Sequence, residues 1–155
     1  MQPGMRFLLP LLLAASIVPC TDRVNAALFV EAGALEWRDA LPPLPDGTKI
    51  AVLEGDPAKV GIYTIRLLVP ANSSFEPHWH QSDERVTVLS GAMEVSTNSD
   101  PASARRLGPG GFHRNAARAP HSFFFAAETV LQITGVGPWT SYPVTPAPAG
   151  KSRGE

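Results

Sequence analysis

Apolar residues along this chain alternate with polar ones in short runs and rarely recur at helical spacing. Tyr63-Thr-Ile-Arg-Leu67 places Tyr63, Ile65 and Leu67 on one face of a strand, with Thr64 and Arg66 on the other. Lys49-Ile-Ala-Val-Leu53 predicts a strand that stops at the turn-forming Glu54-Gly55-Asp56-Pro57. Val86–Leu89, closed by Ser90-Gly91, and Met93–Val95 read together as a hairpin. Ser122–Phe125 and Val130–Thr134 predict two more strands, while Asn98–Gly111, rich in Ser, Asp, Pro and Gly, reads as a loop. No window from Ala27 onward sustains apolar residues at i, i+3, i+4 and i+7, and 16 prolines and 13 glycines cut the chain into short pieces. Short strands with regular punctuation predict an all-β sandwich or barrel in a single domain.

Two segments fall outside that pattern. Met1–Arg6 supplies a short positive region and Phe7–Val18 an apolar run too short for a stop-transfer helix. Val24-Asn25-Ala26 then offers residues tolerated by signal peptidase, which predicts a secretory signal peptide over 1–26. The expected location is periplasmic or secreted, with no stable membrane span after cleavage. Cys20 is the only cysteine, and Pro19 precedes it where a lipoprotein signal requires a small residue. Cleavage after Ala26 leaves a chain without cysteine, so any metal site there must use nitrogen and oxygen ligands. The β-domain is expected over 27–139, followed by a Pro-rich tail over 140–155.

Composition narrows the partners. A chain of 155 residues has room for one real core, and 44% hydrophobic with 17% charged residues fits a globular protein. The formal charge of −1 provides no basic field for nucleic acid or an anionic membrane. A small-molecule ligand or substrate remains.

The chemistry concentrates in Glu76-Pro-His-Trp-His-Gln-Ser-Asp-Glu84. Residues two apart on a strand face the same way, so His78 and His80 can point at one centre while Trp79 points away. Glu84 would lie about 13 Å beyond His80 on a straight strand. Sharing an ion therefore requires a bend at Gln81-Ser82-Asp83, with a second strand starting near Glu84. A fourth candidate is His121, which shares a face with Phe123 and Phe125 after the fixed entry at Pro120. Three imidazoles and a carboxylate suit a divalent transition metal ion: Fe, Mn, Zn, Ni or Cu. The plain alternative is a polar bend leading into a strand.

From His78 to Gly91 this segment resembles the first motif of the cupin superfamily, G-x5-H-x-H-x3–4-E-x6-G, with Asn72 at the leading glycine position. Asn tolerates the positive φ that glycine supplies there. The second motif, G-x5-P-x-G-x2-H-x3-N, maps from Gly110 to Phe125. It keeps Gly110 and His121 but carries Ala116, Arg118 and Phe125 at its Pro, Gly and Asn positions. Leu35–Trp37, Lys49–Asp56, Thr64–Arg66 and Gly135–Trp139 look like the flanks of small single-domain bacterial cupins. The resemblance implies a double-stranded β-helix, a jelly-roll barrel, with His78, His80, Glu84 and His121 as metal ligands. Homodimers occur among such proteins. It also implies two kinds of function: a metal-dependent oxygenase or isomerase acting on a small molecule, or a non-catalytic metal or small-ligand binding or sensor module. A structural β-domain that has lost its metal is a third.

Other residues carry weaker signals. Tyr63, Arg66, Arg118 and the phenylalanines are the available substrate clamp, although Arg118 reads first as a solvated loop residue. His113 reads as an exposed strand histidine. Asp83 and Glu76 read as solvated, with orientation of an imidazole the alternative. Trp79 is expected to anchor a sheet–sheet or subunit contact. Phe123, Phe124 and Phe125 cannot all face inward.

Overall fold

The computed structural model describes residues 27–144, so the leader expected over 1–26, Cys20 and the tail beyond Val144 lie outside the described residues. The described residues form a short 3-10 turn at Ala32–Ala34 and eleven strands. The first five are β1 (Arg38–Asp39), β2 (Lys49–Glu54), β3 (Gly61–Val69), β4 (Ser73–Trp79) and β5 (Glu84–Ser90). There follow β6 (Met93–Thr97), β7 (Asp100–Leu107), β8 (Phe112–Asn115), β9 (His121–Phe125), β10 (Thr129–Gly137) and β11 (Tyr142–Pro143). They make two antiparallel sheets, ordered β1-β2-β3-β10-β5-β8 and β11-β4-β9-β6-β7. This is the all-β jelly roll that the alternation and the motif resemblance predict. Among the described residues no helix is long and apolar enough to cross a membrane.

Period-two alternation builds the core. Tyr63, Ile65, Leu67 and Val69 of β3 face inward beside Leu131 and Ile133 of β10 and Val86 and Val88 of β5. Met93, Val95, Phe75, Phe123 and Phe125 close over them from the second sheet. Burial of each such side chain contributes about 1.5–3 kcal/mol. Phe124 turns outward and is 41% exposed, as the pleat requires between two inward neighbours.

Two expectations fail. Asn98–Gly111 is not a loop, because Asp100–Leu107 pairs with β6 as the edge of the five-stranded sheet. Both faces of β7 are largely solvated, so it carries no apolar alternation to betray it, and Pro101 is tolerated on an edge. β5 and β6 do not form a hairpin either, since the chain crosses between the sheets at Ser90-Gly91-Ala92. Gly91 makes that crossing at φ +75°, with the backbone of Glu128 and Thr129 against it. The residues after Trp139, polar in composition, extend the second sheet through β11.

A Cβ at residue 91 would sit 2.3 Å from the Glu128 carbonyl oxygen, so Gly91→Ala must displace backbone as well as strain φ. Urea denaturation is expected to show a loss of about 2–4 kcal/mol for Gly91→Ala, against less than about 0.5 for Gly108→Ala, where the added methyl meets open space.

Candidate metal centre

A bulge in β4 sets the direction of the first two histidines. Phe75 opposes Phe123 and His78 opposes His121, so three residues of β4 advance against two of β9. Strict alternation from Phe75 would send His78 outward. The extra residue at Glu76-Pro77 reverses that parity, and Pro77, which has no N–H to give the ladder, is suited to such a break. His78 therefore joins Phe75 on the inner face. β4 then ends at Trp79, and Gln81-Ser82-Asp83 bends the chain into β5 of the opposite sheet, returning Glu84 to the same cavity.

The ligand atoms of His78, His80 and His121 lie within 4.8 Å of one another. Glu84 Oε1 is 3.6 Å from His80 Nε2, and Oε2 is 3.7 Å from His121 Nε2. Donors held at about 2.1 Å by one ion stand roughly 3 Å apart at right angles and roughly 4 Å apart across it. The three imidazoles are thus grouped closely enough to hold one, whereas Glu84 turns a different oxygen to each of two histidines and falls outside the set whose ligand atoms all lie within 4.8 Å. Each imidazole has its Nδ1 against a backbone carbonyl: His78 on Glu76 at 2.6 Å, His80 on Thr140 at 2.9 Å and His121 on Ala119 at 3.0 Å. An Nδ1–H donating there leaves the Nε2 lone pair for the cavity. His80 Nε2 and His121 Nε2 are buried without a hydrogen-bond partner. Leaving such an atom unpaired costs about 1–3 kcal/mol, and a divalent ion is the partner their geometry fits.

Glu84 is held from both sides. Trp139 Nε1–H donates to Oε1 at 3.1 Å, and Asn115 Nδ2–H donates to Oε2 at 2.8 Å. The Asn115 amide is itself oriented by His113, whose Nε2 lies 2.5 Å from Asn115 Oδ1. His113 is thus a half-buried positioning residue rather than an exposed one. Gly135 separates Glu84 from Tyr63 across the sheet, and the phenol packs where its Cβ would stand. Burial, and then the Glu84 charge, push the Tyr63 phenol well above its ordinary range, so Tyr63 stays neutral.

The remaining candidates fall in less central places. Asp83 accepts from the Ala117 N–H and from Arg114, each at 3.0 Å, which pins the turn ahead of His121 and holds its carboxyl below the usual range. Glu76 orients His78, but through its backbone carbonyl rather than its carboxylate. Arg118 is exposed with φ +63° at the motif's glycine position, and its N–H donates to the His80 carbonyl at 2.8 Å. Arg66 bonds Gln132 between neighbouring strands. Trp79 stacks on Tyr142 at 4.4 Å within the same chain. Asn115, Trp139 and Thr140 were not singled out from sequence. The signal available for Asn115 was its position two residues from His113 on a short strand, and for Trp139 its place after a proline at a strand end.

Several known proteins share this architecture. The model of the ChrR cupin-like domain matches residues 25–140. The polyketide cyclase RemF from Streptomyces resistomycificus superposes with a TM-score of 0.65 at 19% identity, covering 79% of this chain and 88% of that one. KdgF from Halomonas sp. gives 0.56 at 20% identity, covering 70% and 94%. The DMSP lyase DddQ from Ruegeria pomeroyi DSS-3 gives 0.57 at 22% identity, covering 77% and 64%. At these identities the likeness is one of fold. No curated protein matches the chain by sequence.

Burial, reinforced by neighbouring imidazoles, lowers His121 to about 3, and burial lowers His78 as well. Both would protonate near 6.5 in the unfolded chain. Because the fold refuses protons that the unfolded chain takes up, stability is intact above that value and falls as pH drops toward 3. For chelator-treated protein, urea midpoints at pH 7, 6, 5 and 4 should decline, His121 alone contributing up to about 1.4 kcal/mol per pH unit. A flat profile would contradict the buried, neutral state of these rings.

Proposed function

The chain belongs to the ChrR cupin-like family, and from that premise we propose that it binds one divalent transition metal ion through His78, His80, His121 and Glu84 and acts on a small molecule. The chemistry is of the oxygenase or isomerase kind. The observation that carries this reading is the pair of buried, unpartnered Nε2 atoms beside an ionisable carboxylate. Fe, Mn, Zn, Ni and Cu all suit three imidazoles and one carboxylate. A bound ion supplies Lewis acidity and open coordination positions for substrate.

The protein's own groups do the rest. The Glu76, Thr140 and Ala119 carbonyls fix the three tautomers, so no ring rotation or proton transfer is required before the lone pairs meet an ion. Trp139 and Asn115 hold the carboxylate in place. His80, Glu84 and His121 are 5%, 2% and 1% exposed, so the centre is screened from bulk water. His78 is less buried and marks the open side. That same burial also favours a second reading, a non-catalytic metal or small-ligand binding module. Turnover of any substrate, lost in Glu84→Ala, separates the two. The expected setting is the periplasm or the exterior, after removal of a leader ending at Ala26.

Elemental mass spectrometry of purified protein should find about one equivalent of a transition metal, falling below about a tenth in His80→Ala. Trp139→Phe, which keeps an aromatic side chain but removes the N–H donor to Glu84 Oε1, should retain the fold and weaken metal binding about 10–100-fold in a competitive chelator titration. Native protein without metal, even after reconstitution, would defeat the proposal. Amino-terminal sequencing of protein recovered from the periplasm or medium should begin at Ala27.

A further inference from the structure

A cleft of about 160 Å³ is lined by His78, the least buried of the candidate ligands. Its walls are three prolines, Leu44 and Phe75, with Glu76, His78 and Ser141 as the polar remainder. No described lysine or arginine lines it. The clamp residues expected from sequence are elsewhere: Tyr63 and two of the phenylalanines are core, Arg66 bonds Gln132 and Arg118 is an exposed turn residue. Whatever enters this cleft meets apolar walls, with Glu76, Ser141 and the His78 ring as its polar contacts.

Charge and size then limit the ligand. A divalent ion with one carboxylate and three neutral imidazoles keeps a net charge of about +1, which a single anionic or carbonyl oxygen satisfies. A second anionic group would find no cation in the cleft, since Arg38 lines a neighbouring cavity instead and is paired with Glu36. Glu76 on the rim has no ion-pair partner among the described residues. An apolar cavity of about 150 Å³ is known to accept benzene. Resting on the metal reading above, we infer that the site takes a ligand with one oxygen-donor head and one apolar body the size of a six-membered ring, and discriminates against diacids, phosphates and sugars. Leu44 lines both this cleft and that larger neighbouring cavity of about 460 Å³, which also share Pro43 and Ser141.

Calorimetric titration of the metal-loaded full chain with acetate, benzoate, succinate and inorganic phosphate tests this. Benzoate should bind at least about tenfold more tightly than acetate or succinate, since only its ring buries apolar surface. Leu44→Trp, which fills the cleft, should weaken benzoate at least about tenfold while metal content stays at one equivalent. Succinate or phosphate binding as tightly as benzoate would overturn the inference with the wild-type protein alone, whatever the variant does. Metal measured on the same samples separates the failures. Metal retained without the preference defeats this inference only, whereas metal absent defeats the functional reading and this one with it.

Discussion

The extra residue at Glu76-Pro77 determines what the barrel mouth contains. A regular strand would have kept Phe75 in the core and turned His78 to solvent, since the pleat allows no other outcome. The bulge resets the parity, and Pro77 makes the local loss of ladder pairing costless on the donor side. His78 then opposes His121 across the sheet instead of facing away from it. Everything placed around the centre, from the bend after His80 to the return of Glu84 on the opposite sheet, depends on that reset.

The centre itself is organised more by main chain than by side chains. Three carbonyls from three separate stretches, Glu76, Ala119 and Thr140, decide which nitrogen of each ring carries the proton. Only the carboxylate relies on side-chain donors, and those come from opposite directions, one from an indole and one from an amide already fixed by His113. Such an arrangement tolerates sequence change at the turn before His121 because the contacts it provides there are backbone ones. Arg118 illustrates this: it replaces a glycine, accepts a left-handed conformation and still delivers its N–H to His80.

Much of this was legible beforehand, for identifiable reasons. Inward strands with full apolar alternation, such as β3, declared themselves, and so did the spacing from His78 to Gly91. Asn72 at φ +57° occupies the left-handed position expected of it. What the pattern hid was anything set by long-range pairing. β7 has no buried face to impose a period, and the sheet switch at Gly91 looks locally like a hairpin. Asn115 and Trp139 act on a residue far away in sequence, so no local pattern could assign them a role. His113 reads as exposed from its strand position alone, because its partner is an amide on its own strand rather than water.

The distance in sequence between Glu84 and Trp139 has a further meaning. His80 and Glu84 receive their partners from residues 60 and 55 positions later in the chain. A ribosome delivers those residues well after the histidines and the glutamate have emerged, at roughly 5–20 residues per second. During that interval the two side chains have neither the carbonyl nor the indole that orients them. The centre thus cannot be completed before Thr140 has emerged, and the order of synthesis itself delays the moment at which its rings and carboxylate are fixed.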